Sequence, residues 1–299
     1  MLTFINPETL YFIFFVGISY VVGIHPAKDL MMKCLMQFHD EIEDKRIRVL
    51  SWNIAKNKNT SWILDFSKIF HTYEPDICIL QEVKLEKKIK DVLLDKLLVW
   101  RFSPNIVNLK KQLYSGVLTA SSIQPFTETF SKSSSKEPLL STPKATIFTT
   151  YKIANSTDKL LVVNIHGINF VSLRKFRVQI HEVIEYGQEH VGPIIFSGDF
   201  NTWNKNRIRF LEKILKRKLN LVPVDFAKSH KKHIKKFMLS PPLDHIFYTP
   251  HKLKLVKNSD QVLREYKSSD HKPIYAEFEL ILNDDVSFDD SFLESEALA

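Results

Sequence analysis

The chain has 299 residues, 44% of them hydrophobic, and a formal net charge of +8. That is enough to bury a sizeable core in one large α/β or sandwich domain, and two cysteines without zinc-type spacing exclude a disulfide-framed scaffold and a cysteine-based zinc site. From Asn283 onward Asp284, Asp285, Asp289, Asp290, Glu294 and Glu296 stand with no Lys or Arg, so the rest of the chain carries +14, a balance that favours phosphate-rich partners such as nucleic acid or anionic lipid headgroups.

Residues 10–24 are the most hydrophobic stretch. They fall short of the ~20 residues that span a bilayer comfortably, and they lack a basic flank before them and a small-residue cleavage site after them. A short membrane anchor, a hydrophobic leader and a helix packed on the core all remain open. If the segment spans, Lys28 and Lys33 behind it place the body on the cytoplasmic side, so the location reads as cytoplasmic or membrane-associated. Residues 28–46 form an amphipathic connector. The division is therefore a hydrophobic N-terminal segment and connector at 1–45, a body at 46–281 and an acidic tail at 282–299 expected to be disordered.

The body opens with Ile47-Arg48-Val49-Leu50-Ser51-Trp52-Asn53, an alternating strand pattern. Across 61–74, Trp62, Ile63, Phe66, Ile69 and Phe70 keep helical spacing, and Pro75 ends the helix. Residues 76–81 read as a buried strand that finishes at Glu82, with Cys78 as a packed core thiol. A charged surface helix follows at 84–98. Strands are predicted at 116–121 and 145–152, with the Ser-, Thr-, Lys- and Pro-rich segment 127–143 between them as a mobile loop. A strong strand at 160–166 and a helix over 170–189, stopped near Gly192-Pro193, come next.

The run Pro193-Ile194-Ile195-Phe196-Ser197-Gly198-Asp199-Phe200-Asn201 is a buried strand that ends in a glycine, a carboxylate and an amide. Alternate residues of an extended backbone face one side, so Asp199 and Asn201 point together. Residues 205–218 form a basic helix with Ile208, Phe210, Leu211, Ile214 and Leu215 inward, and the last strands lie at 243–248 and 272–280. Several strand-to-strand connections lack a helix. That argues against a doubly wound parallel sheet and for two mostly antiparallel sheets packed face to face with helices outside.

Polar groups gather at the strand ends: Asn53, Glu82, His166, Asp199 with Asn201, and Asp270-His271. Phosphodiester hydrolysis needs an activated water, charge neutralisation and help for the leaving oxygen. A hard divalent ion bound by one or two carboxylates supplies much of the electrostatics. Glu82 and Asp270 suit that task, with Asn53 to orient a ligand or touch the phosphate. His166 and His271 are natural acid/base groups when a carboxylate positions them, and Asp244 is a candidate for that carboxylate. Singly, each of these residues has an ordinary structural explanation; jointly they favour chemistry, because each follows an apolar strand run.

Six segments occur in order: Leu50-Ser51-Trp52-Asn53-Ile54, Leu80-Gln81-Glu82-Val83, Val163-Asn164-Ile165-His166, Ser197-Gly198-Asp199-Phe200-Asn201, Pro242-Leu243-Asp244-His245-Ile246-Phe247-Tyr248 and Ser269-Asp270-His271-Lys272-Pro273-Ile274. This set resembles the endonuclease/exonuclease/phosphatase superfamily, whose members include pancreatic-type DNase, abasic-site endonucleases, neutral sphingomyelinases and inositol-polyphosphate 5-phosphatases. Val163–Phe170 and Gly198–Trp203 look most similar to its bacterial YafD-like branch. The resemblance implies a DNase I-like four-layer α/β-sandwich and a Mg²⁺- or Mn²⁺-dependent phosphoesterase. It casts Glu82 as main metal ligand with Asn53 and Asp270 nearby, Asp199 as the residue that activates or orients water, and Asn201 as a hydrogen-bond donor to the phosphate. Asp244 would hold His271, and His166 would contact the scissile phosphate or assist the leaving group.

For the substrate, the internal clue is the basic cluster that includes Lys231, Lys232, Lys235 and Lys236, just ahead of the Asp244 strand. Such a loop either grips a phosphate backbone without reading sequence or is a mobile surface segment. The helix at 205–218 adds Arg207, Arg209, Lys213, Lys216 and Arg217, read as a solvated face. A nuclease acting on DNA or RNA is the reading that follows. A phosphoinositide phosphatase or sphingomyelinase-like phospholipase is the alternative, suggested by the apolar N-terminus, and a non-catalytic binding module is the lesser one.

Overall fold

A computed structural model of the chain describes residues 9–15, 18–25, 38–108, 113–138, 141–237 and 240–281. The predicted disordered tail at 282–299, and most of the predicted connector, lie outside the described residues. The first sheet runs β1 (Thr9–Phe15), β2 (Ile18–His25), β6 (Val99–Asn108), β7 (Leu113–Ser121), β5 (Ile77–Lys84), β4 (Arg46–Asn53), β16 (Ile274–Leu280) and β14 (Leu253–Leu255), with β15 (Gln261–Val262) also on β16. The second runs β12 (Val222–Pro223), β13 (Asp244–Tyr248), β11 (Ile194–Asp199), β10 (Lys159–His166), β9 (Pro143–Ile153) and β3 (Glu41–Ile42), with β8 (Thr127–Lys136) also on β9. The described pairings are antiparallel except β4 with β5, β10 with β11 and β3 with β9.

Alternation along the strands builds the layers. Ile47 and Val49 of β4, Ile77 and Ile79 of β5, Leu160 and Val162 of β10, and Ile195 of β11 meet between the sheets. Their even- or odd-numbered neighbours point outward. Leu50, Trp52, Cys78 and Leu80 pack under α1 (Trp62–Tyr73) and α2 (Lys87–Asp95). Leu161, Val163, Ile165 and Phe196 pack under α3 (Leu173–Gly187) and α4 (Lys205–Leu219). The result is the DNase I-like four-layer α/β-sandwich. Each fully buried Ile, Leu or Phe in these layers contributes about 1.5–3 kcal/mol. Ser172 and Asn204 cap α3 and α4 by accepting the Lys175 and Arg207 backbone N–H groups.

The same alternation, continued to the strand ends, sends polar residues into the space between the sheets. Asn53 continues the Ile47–Val49 face, Asn164 and His166 continue Leu160–Val162, and Ser197 and Asp199 continue Ile195. Gln81 Nε2 donates to Asn164 Oδ1 at 3.0 Å, and Asn164 Nδ2 donates to Leu118 O at 2.9 Å, so the two sheets are bridged just below the rim.

Some expectations are corrected. The segment at 127–143 is largely strand: β8 pairs along β9, and its Thr127 hydroxyl meets Thr150 at 2.6 Å. A polar edge strand lacks the apolar alternation that marks a central one, so its composition reads as loop. Residues 10–24 do not form a packed helix; β1 and β2 pair antiparallel, and β2 joins β6 at Ile24–Phe102. Their aromatic and β-branched content suits a pleated sheet. No helix among the described residues is long and apolar enough to cross a membrane. The charged helix at 84–98 is shorter, at Lys87–Asp95, and β6 behind it was not foreseen.

Candidate active site

Strand register assembles the site. His166 lies opposite Asp199 in the parallel β10–β11 pair, and Asp199 lies opposite Asp244 in the antiparallel β11–β13 pair, so the three stand in one row across neighbouring strands. From the facing sheet, Asn53 Nδ2 donates to Asp199 Oδ2 at 3.0 Å. The other oxygen of Asp199 accepts the Asn201 backbone N–H at 2.9 Å. Asn201 itself takes φ 51, a left-handed conformation that Asn tolerates better than most residues, and its Nδ2 donates to Gly167 O at 2.8 Å. Gly198 has φ +146, and a Cβ there would sit 2.0 Å from Ile165 O; only glycine lets β11 close on β10 beside Asp199.

His271 is delivered by the loop before β16. Ser269 Oγ donates to Asn53 O at 2.7 Å and accepts the His271 backbone N–H at 3.2 Å, while Trp52 Nε1 donates to His271 O at 3.1 Å. The His271 Nδ1–H faces both Asp244 oxygens, at 2.8 and 3.0 Å, and Nε2 lies 3.9 Å from Asp199 Oδ2. Burial alone pulls the His271 pKa down, but the Asp244 charge and hydrogen bond, joined by Asp199, push it up to about 9. Burial pushes the Asp199 carboxyl up to about 6, with His271 opposing. His166 goes the other way, held well below its ordinary value by burial, by Lys144 and by His271.

Glu82 sits at a register shift in β5, between Leu80 and Val83, with φ 51. The bulge re-aims its side chain into the cleft, where Oε1 lies 3.9 Å from His166 Nε2. Asp270 is exposed and accepts from Lys235 Nζ at 2.8 Å. Glu82, His166, Asp199, Asn201, Asp270 and His271 all line one cleft of about 310 Å³. Lysines 56, 144, 235 and 236 stand around it, together with Phe170 and Phe237, which are 62% and 54% exposed.

Of the four lysines predicted to grip substrate, Lys235 and Lys236 reach the cleft and Lys231 and Lys232 do not. A short helical turn, α5 (Lys228–Lys231), carries Lys231 away to pair with Asp225 at 3.1 Å, and a bridge from Lys236 to Pro242 folds the following residues back to the rim. Lys144 is a residue the sequence reading missed. It is buried at the head of β9, with Nζ 3.2 Å from His166 Nε2 and 3.3 Å from Glu137 Oε1. A single Lys after Pro143 gives no signal distinguishing it from a solvated strand end.

The sequence profile of the Endonuclease/Exonuclease/phosphatase family matches residues 50–271. The chain belongs to the endonuclease/exonuclease/phosphatase family. A UPF0294 protein of Vibrio campbellii, a relative of the YafD-like kind, is 32% identical over 261 residues, covering 86% of each chain. An endonuclease/exonuclease/phosphatase structure from Beutenbergia cavernae superposes with a TM-score of 0.63 at 15% identity, covering 79% of this chain and 72% of that one. ANGEL2, a 2′,3′-cyclic phosphatase solved with adenosine-2′,3′-vanadate, gives 0.60 at 16% identity, covering 81% and 98%. As an endonuclease/exonuclease/phosphatase hydrolase, the protein acts on phosphate-containing substrates.

Enzymes of this family generally use divalent metals, and the donors here fit one. The Glu82 side chain makes no hydrogen bond among the described residues, and Asn53 Oδ1 spends one lone pair on the Ala55 N–H at 3.0 Å and keeps another. With Asp270 these are the hard oxygen donors that Mg²⁺ or Mn²⁺ takes. Asp199, Asp244 and His271 also offer ligand atoms within 4.8 Å of one another. That trio is the poorer cage, because Asp244 and His271 Nδ1 are already committed to each other.

Behind the row, His245 packs half-buried against Phe200 and Phe247, with Nε2 2.8 Å from Thr202 Oγ1 and 3.0 Å from Pro242 O. Burial lowers its pKa from 6.5 to about 4. A depressed histidine stabilises the fold fully above its unfolded pKa, and that stability is lost as pH falls towards the folded one. Denaturant titrations between neutral pH and that lower limit should lose roughly 3 kcal/mol through this ring. His245→Asn should remove that part of the slope; an unaltered slope would assign acid sensitivity elsewhere.

Proposed function

We propose that the protein is a Mg²⁺- or Mn²⁺-dependent phosphodiesterase that cleaves nucleic acid. The observation that carries this reading is the convergence of Glu82, His166, Asp199, Asn201, Asp270 and His271 on one lysine-rimmed cleft. A bound divalent ion would supply charge neutralisation at a phosphoryl oxygen, held by Glu82 and Asp270 with Asn53 beside them.

The protein groups divide the remaining work. Asp199, fixed by Asn53 and Asn201, orients the attacking water and takes its proton. The second N–H of the Asn201 amide is free to meet a phosphoryl oxygen. Asp244 holds His271 so that its Nε2–H faces the cleft and meets the charge that grows on the phosphate. The Lys144 ammonium donates to His166 Nε2, which selects the Nδ1–H tautomer; the one ammonium N–H turned to neither His166 nor Glu137 steadies the leaving oxygen. Phe170 and Phe237 at the rim suit stacking on nucleobases.

A substrate panel tests the reading. Plasmid DNA, abasic oligonucleotide, RNA, phosphoinositides and sphingomyelin are compared with Mg²⁺, with Mn²⁺ and after chelation. Nucleic acid should be cleaved with metal and spared with chelator. Turnover restricted to a lipid headgroup would move the activity to the phospholipase or phosphatase class, and an absence of turnover across the panel would contradict a hydrolytic cleft.

A further inference from the structure

On the outer face of the second sheet, α3 and α4 leave a groove of about 500 Å³ between them. Its walls carry Arg177 from α3 and Arg209, Lys213 and Arg217 from α4, over a floor of Phe210 and Ile214. No carboxylate of the described residues lines it. The three α4 cations recur every fourth residue, so they stand one above another about 6 Å apart. All four are exposed, and none has an ion-pair partner among the described residues. Arg177 is held over the Phe210 ring at 5.0 Å, which fixes one wall. Glu212, the one acidic residue of α4, does not line the groove and lies instead within electrostatic reach of Lys231 and Asp225.

The groove starts close in the chain to residues that line the active cleft. Leu173 and Asn206, in the first turns of the two helices, line its near end. Asn169, Phe170 and Asn201, a few residues earlier in the chain, line the cleft. A ligand with one charge would need one of these cations; a row of cations at even spacing, on a helix that begins just after cleft residues, matches a polymer with a phosphate at every unit. A concave channel with its apolar surface recessed between charged walls suits a strand better than a flat lipid surface. We propose that the α3–α4 groove binds the sugar–phosphate backbone of the nucleic acid strand whose scissile phosphate lies in the cleft. This rests on the nucleic-acid reading above and extends it, from the broken bond to the length of strand engaged. Such contacts set affinity and register and read no sequence.

The test measures binding of a fluorescent single strand of about 30 nucleotides by anisotropy, across a salt series, beside hydrolysis of bis(p-nitrophenyl) phosphate. Each phosphate contact on a single strand adds about 0.7 to the salt slope. The triple variant R209E/K213E/R217E should bind about tenfold or more weakly, with the slope reduced by about 2 to 3, and keep wild-type turnover of the small diester. R177A/R209A, a gentler change should the triple variant fold poorly, should reduce the slope by about 1 to 2. Unchanged slope and affinity in the folded variants would overturn the proposal. So would a triple variant that keeps strand binding and loses binding to phosphatidylserine vesicles, which would make the groove a membrane contact. A wild-type chain that binds the strand through these residues but cleaves no nucleic acid would leave the groove standing and remove the nuclease reading.

Discussion

Asp199→Asn should lower kcat for a phosphodiester by about 10³–10⁴-fold while leaving a folded protein. The substitution is nearly isosteric, but the site asks Asp199 for two acceptors at once, one towards Asn53 Nδ2 and one towards the Asn201 N–H. An amide presents one oxygen, so one donor is left facing an NH₂ group at a cost of about 1–3 kcal/mol. The larger loss is chemical. The amide cannot take a proton from water, and it removes the negative charge that faces both His166, at 3.7 Å, and His271, at 3.9 Å. Small-diester kinetics with Mg²⁺, with folding checked by circular dichroism, decide the point. Turnover within a few-fold of wild type would mean that Asp199 is a structural member of the row.

Arg207→Ala should destabilise the fold by about 3–5 kcal/mol, the largest stability effect expected of a single side chain near the site. Arg207 is completely buried. Its Nη1 donates to Ile168 O at 2.9 Å and Asn201 O at 3.0 Å, and its Nη2 donates to Val171 O at 2.7 Å. The guanidinium is sandwiched between Phe176 and Trp203, each 4.6 Å away. It therefore ties the His166 loop, the Asn201 turn and the start of α4 into one unit. Removal leaves three carbonyls short of a donor and opens a hole between two rings. The opposing gain is relief of burial, which lowers the Arg207 pKa to about 10, and Nε finds no partner among the described residues; both trim the loss without reversing it. Arg207→Lys should recover little, since one ammonium cannot span three carbonyls. Denaturant midpoints measure the effect, and a loss below about 0.5 kcal/mol would contradict it.

The sequence exposed the strand-end residues because their surroundings are periodic. Ile195, Ser197 and Asp199, or Leu160, Val162, Asn164 and His166, share one face of an extended chain, so an apolar face that turns polar can be read without coordinates. The hydrogen bond from His271 to Asp244 joins residues 27 apart, and that from Asn53 to Asp199 joins residues 146 apart. Periodicity carries no trace of such partners; the family motifs supplied the first and not the second. Lys144 and Arg207 escaped for a different reason. Both are cations at the start of an element, a position that is ordinarily solvated, and they are buried because loops from elsewhere fold over them. Strand β8 was hidden by its place at an edge, where Thr and Ser serve as well as Val.

Crystals grown with Mn²⁺ and measured at the manganese absorption edge test the central claim most directly. An anomalous peak is expected inside the cleft in contact with Glu82 and Asp270, and is lost in Glu82→Gln. A cleft without manganese at saturating ion, or a peak held by Asp199, Asp244 and His271 instead, would contradict it.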